Sequence, residues 1–98
     1  MQITIHGKGG LAGNNVTYEL DTTQLDASDA EELEVMLEDV HFFDDASPPA
    51  SENIGADMMQ WEITAIEDGL PHSVRFADDG SPRLQPWKAI VEKVRTLH

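Results

Sequence analysis

The chain contains no cysteine. That absence excludes disulfides, thiolate nucleophiles and cysteine-ligated zinc. Long apolar runs are missing as well, and nothing approaches the roughly 20 residues of a membrane helix. The opening Met1-Gln2-Ile3-Thr4-Ile5-His6 lacks the basic start and the apolar stretch of roughly 7–15 residues that mark a secretory leader. It alternates like a strand, and the lack of cysteine is compatible with the cytoplasm. Basic residues are scarce: 6 Lys and Arg stand against 19 Asp and Glu, for a formal charge of −13. Such a charge opposes phosphate backbones and anionic lipid, so neither nucleic acid nor a membrane is an expected partner. The imbalance is uneven, because residues 1–74 hold 16 of the acids and only Lys8 among the bases. Two readings of this excess stay open. It can keep a charged surface soluble, or it can form a negative face that steers toward a basic partner or mimics nucleic acid.

Catalytic signatures are also missing. There is no H-E-x-x-H, no phosphate loop and no G-x-S-x-G. Gly7-Lys8-Gly9-Gly10 has the look of a phosphate cradle, but no helix follows whose N-terminus could hold an anion. His6, His41, His72 and His98 match no short zinc spacing and read as packed or surface residues. Asp44, Asp45 and Asp57 could chelate a hard cation, yet their spacing is not that of an EF-hand. No acid–base pair or activated nucleophile stands out. The expectation is a non-enzyme that needs no metal and no cofactor of its own.

What is present fits one folded domain over residues 1–98. A chain of 98 residues can bury roughly 60–70% of its unfolded surface. Its hydrophobic content of 40%, with 2 Trp, 3 Phe and 1 Tyr, suits a compact core. Ile3 and Ile5 alternate with polar neighbours, as do Val16, Tyr18 and Leu20, and Gly7 to Gly13 reads as an oversized hairpin connection between them. Ala30, Leu33, Leu37 and Val40 recur at helical spacing, with Asp26 or Ser28 as the cap and an end near residue 41. A long connection from Asp44 to Asp57 contains Pro48-Pro49, and connections of that length tend to be functional. Met59, Trp61, Ile63 and Ala65 alternate next. Asp68-Gly69 turns the chain, and His72, Val74 and Phe76 return. Ser81-Pro82 opens a last helix with Leu84, Trp87, Ile90, Val91, Val94 and Leu97 on its apolar face. Trp61 and Trp87 both fall at core positions, where packing against each other is the simplest reading. The order ββαββα predicts an α+β fold: a four-stranded, mainly antiparallel sheet with two helices on one face.

Leu11 is the residue this scheme does not absorb. It sits in a glycine-rich connection, Gly9-Gly10-Leu11-Ala12-Gly13. It can fold back onto the sheet, or it can enter another protein's pocket, with the glycines allowing close backbone approach.

These segments together resemble a known family. Gly9-Gly10-Leu11-Ala12-Gly13, Phe42-Phe43, Asp57, Trp61-Glu62-Ile63-Thr64, Glu67-Asp68-Gly69, His72-Ser73-Val74 and Pro82 stand in the order found in the emfourin-like proteins. The resemblance covers nearly the whole chain. It departs at Trp61, where the aromatic is often Tyr, and at Leu11, where Phe is common. It implies a bacterial, cytoplasmic inhibitor of protealysin-like and other thermolysin-like zinc metallopeptidases, expected to act as a monomer. It further implies that loops enter the active-site cleft, with apolar residues in substrate subsites and a loop carboxylate reaching the enzyme's zinc. Gly9, Gly10, Leu11, Ala12 and Gly13 are then the protease-contacting loop. Asp57, Asp44 and Asp45 are the candidate carboxylates. An acidic ligand at the zinc's open position would displace the water the enzyme needs. The alternative is an acidic protein-binding module, an adaptor or nucleic-acid mimic, without inhibitory activity.

Overall fold

The computed structural model describes residues 1–9, 14–42, 59–78 and 82–97. Strands β1 (Gln2–Gly9) and β2 (Asn14–Asp21) precede helix α1 (Ala27–Asp39). Strands β3 (Met59–Glu67) and β4 (Leu70–Ala77) precede helix α2 (Gln85–Leu97). The four strands form one antiparallel sheet in the order β2-β1-β3-β4. This is the expected α+β arrangement. The strand order adds that β1 lies inside the sheet, paired with both β2 and β3. Because β2 and β3 both run antiparallel to β1, they are parallel to each other and need a crossover, which α1 supplies.

Alternation sorts the sheet into two faces. Ile3 faces Leu20 and Ala65 across the ladder, Ile5 faces Tyr18 and Ile63, and Ile63 faces Val74. With Phe76 these residues join Leu33 and Leu37 of α1 and Trp87, Ile90, Val91 and Val94 of α2 in one buried core. Nothing in the sequence calls for a second core, because every strong apolar stripe is used here. The opposite face carries paired polar residues. His6 Nδ1 lies 3.1 Å from Thr17 Oγ1, Thr64 Oγ1 lies 2.9 Å from Ser73 Oγ, and Arg75 pairs with Glu62.

Strand β1 runs two residues beyond the expected break at Gly7. Backbone pairing continues through Lys8–Asn15 and Gly9–Asn14, so the connection between the first two strands is only 10–13. The glycines there do not interrupt the ladder, because a strand tolerates glycine at some entropic cost when neighbours on both sides supply hydrogen bonds. After β2, residues Thr22–Gln24 form a short 3₁₀ turn that the sequence reading did not anticipate. Asp21 caps it, accepting from Thr23 N–H at 2.9 Å and from Thr23 Oγ1 at 2.7 Å. These bonds hold the Asp21 carboxyl below the usual aspartate range, the Thr23 hydroxyl contributing most. Thr22 is buried beneath the turn and ties it to the chain start, its N–H and hydroxyl both donating to the Met1 carbonyl.

Helix α1 starts after Asp26, whose carbonyl accepts from Ala30 N–H, while its side chain makes no cap bond. The helix closes earlier than residue 41. His41 N–H donates to Glu38 and Phe42 N–H to Leu37, the paired bonds of a Schellman motif. His41 takes the left-handed position with φ of 53°, where glycine is the usual residue, and Phe42 is buried beside Leu37 in the core. The motif was hard to read because its glycine is absent. A side chain at this φ costs about 1–2 kcal/mol in a left-handed helix. His41→Gly should therefore raise unfolding free energy by about 0.5–1 kcal/mol, after glycine's own entropic cost, as read by urea titration.

The second hairpin turns at Asp68 and Gly69, with φ of 53° and 78°. Two consecutive positive values mark the type I′ turn that an Asp-Gly pair favours. The last helix begins as a 3₁₀ turn at Pro82–Leu84 before Gln85. Pro86 falls in its first turn, where a missing N–H costs nothing. Lys88 and Lys93 bind this helix to the rest of the fold through Asp78, Asp29 and Glu32. Hydrogen bonding to Asp78 and to Glu32 raises the two ammonium pKa values.

Candidate functional site

Both candidate loops meet the sheet at one end. Gly9 is the last residue of β1, opposite Asn14 on one side and Met59 on the other. The connection 10–13 thus departs between Gly9 and Asn14. The connection 43–58 rejoins the sheet at Met59, one strand away. Asp78 N–H donates 2.9 Å to the Met59 carbonyl, which fixes the exit of β4 at the same end.

Of the residues expected to contact a protease, Gly9 is therefore a strand residue, held by the ladder with φ of 117°. Only glycine takes that value without strain. Gly10, Leu11, Ala12 and Gly13 lie outside the described residues, as do Asp44, Asp45 and Asp57.

Two residues behind the loop, the strand is built around an aromatic ring. Gly7 is buried and faces Trp61 across β1 and β3. A Cβ on Gly7 would fall 2.4 Å from Cζ3 and 2.6 Å from Cε3 of that ring. The indole lies over the bare backbone of Gly7 and packs against the core from its edge. Its Nε1–H is buried without a hydrogen-bond partner among the described residues. Sequence reading expected Trp61 at a core position; it lies on the core-facing side of β3, half-buried and packed against the core. That reading did not find Gly7, because the neighbour that makes this glycine necessary sits 54 positions away, across a pairing no local pattern shows.

On the other face, the same end holds an open groove of about 330 Å³. His6 and Lys8 of β1, Gln60 and Glu62 of β3, and Arg75 of β4 line it. Among the described residues, no group of His, Asp and Glu is arranged to hold a metal ion. No described helix is long and apolar enough to cross a membrane.

With this geometry in hand, the comparison with protein families decides the relationship: the emfourin family model matches residues 5–94. The chain belongs to the emfourin family. No curated protein and no solved structure matches it. The emfourin match runs from the middle of β1 nearly to the end of α2, so it includes both candidate loops and the sheet that carries them. Emfourin membership points to a metallopeptidase-inhibitor role.

Proposed function

We propose that this protein inhibits a thermolysin-like, protealysin-like zinc metalloprotease. It does so by inserting residues Gly9–Gly13 into the active-site cleft, with a carboxylate among Asp44, Asp45 and Asp57 directed to the enzyme's zinc. One observation carries the reading: the register at Gly9, which sets both ends of the first candidate segment and the end of the second, at Met59, on neighbouring strands at one end of the sheet. A single cleft can then meet both. Gly10-Leu11-Ala12 has the form of a substrate for enzymes that favour a bulky apolar residue just after the cleaved bond. The carboxylate supplies the ligand that displaces the zinc water. The inhibitor needs no metal of its own. It is read as a single domain acting as a cytoplasmic, bacterial monomer.

The test is hydrolysis of a peptide substrate by a protealysin-like enzyme with increasing inhibitor. Inhibition with an inhibition constant below about 1 μM is expected, corresponding to roughly 8 kcal/mol of binding. Full enzyme activity at micromolar inhibitor would sink the proposal. The charge of −13 favours a second reading, an acidic module that binds basic partners without inhibition. Binding of that kind weakens steeply with salt, whereas insertion of an apolar loop weakens little.

A further inference from the structure

Charge is divided along the open face of the sheet. At the end away from the candidate loops its charged residues are Glu19 and Asp21, opposite Thr4 and Gln2. At the loop end stand His6, Lys8 and Arg75, with Glu62 as the one carboxylate among the described residues that line the groove. Lys8 is exposed and meets no carboxylate among the described residues. Arg75 pairs with Glu62, but its side chain is 83% exposed, so its guanidinium keeps donors free for a second acceptor. A chain with 19 acids and 6 bases has thus gathered two of those bases and a histidine in one groove.

We infer that this groove is a second contact surface for the protease, and that it takes a carboxylate-bearing segment from the rim of the enzyme's cleft. The inference rests on the inhibitor reading above and extends it from the loops to the sheet. Position supports it. Lys8 precedes Gly9 directly and Gln60 follows Met59 directly, so the groove adjoins the strand ends at which both candidate segments meet the sheet. Charge supports it too. The described residues lining the groove carry two cations against one carboxylate on a strongly negative molecule, and a carboxylate docked there meets Lys8 as a point charge and Arg75 as a fork. A second copy of this chain is a poor occupant, because two molecules of charge −13 repel. The acidic remainder of the surface favours a partner that is basic elsewhere. Like charges meet if the sheet docks in any other orientation, so the groove fixes how the inhibitor sits.

The experiment compares three proteins against an enzyme that the wild type inhibits. The double variant Lys8→Gln, Arg75→Gln should raise the inhibition constant about tenfold or more, with a flatter dependence on salt. A control, Ala89→Glu with Thr96→Glu on exposed positions of α2, changes the net charge equally and should shift inhibition less than about twofold. Lys8→Arg should inhibit like wild type. Circular dichroism establishes that each variant is folded. Equal inhibition by the folded groove variant and wild type would overturn the groove proposal and leave the inhibitor reading intact. Equal weakening by groove and control variants would also overturn it, since only the general field would then matter. Failure of the wild type to inhibit would instead remove the inhibitor reading and the groove with it.

Discussion

A Gly7→Ala chain should unfold about 1–3 kcal/mol more easily than wild type, as measured by urea titration. The added methyl falls 2.4 Å from the Trp61 ring, a distance no real Cβ contact sustains. Relief by shifting β1 is blocked, since that strand is laddered on both sides. The ring must tilt instead, and it is packed against the core. Overpacking of this kind is normally resolved through unfavourable rotamers and small backbone shifts. Tryptophan emission should report the displacement directly. Pairing Gly7→Ala with Trp61→Leu should cost less than the sum of the two single changes, because the smaller side chain removes the clash. Strict additivity in that cycle would show that the ring and the glycine are not coupled.

The second large effect concerns Leu11 and leaves stability alone. Leu11→Gly should weaken protease inhibition at least about tenfold, equivalent to about 1.4 kcal/mol. Full burial of a leucine side chain contributes about 1.5–3 kcal/mol, so tenfold is the lower end of what an occupied apolar subsite would lose. Leu11→Asp should weaken it further, because a carboxylate would be desolvated in that subsite without a partner. Both variants should melt like wild type, since the ladder ends at Gly9 and Asn14. An unchanged inhibition constant would remove Leu11 from the contact. Gly7 and Leu11 are four residues apart in one glycine-rich stretch, yet one should govern folding and the other binding.

How far the sequence alone reaches can be judged from particular residues. The Asp68-Gly69 turn and its flanking strands were legible because turn chemistry and alternation agree there. Helix α2 was legible because its apolar residues recur at helical spacing over its full length. The start of the first loop was misplaced, because Gly7 and Gly9 read as a break and only pairing with β2 and β3 on both sides keeps them in the strand. Helix α1 ended earlier than its pattern suggested, through a left-handed residue that is histidine instead of glycine. The groove was invisible for a different reason. Lys8 stood out as the lone base among residues 1–74, but its meeting with Arg75 depends on a strand order that no local signal encodes. The candidate loop residues were assigned through family resemblance, and all but Gly9 lie outside the described residues, so packing within this chain neither supports nor opposes that assignment.

The Gly7–Trp61 contact also works as a check on assembly. A slip of β1 by one residue against β3 would bring His6 or Lys8 to the position opposite Trp61, and would turn the isoleucines of β1 toward solvent. A slip by two in one direction sets Ile5 beneath the ring. In the other, Gly9 takes the place under the ring and Gly7 comes opposite Ile63, leaving a void where Ile5 belongs. One residue without a side chain thus acts as a key cut for a single notch. Whatever sequence the two loops carry, their roots are delivered to the same alignment each time the chain folds.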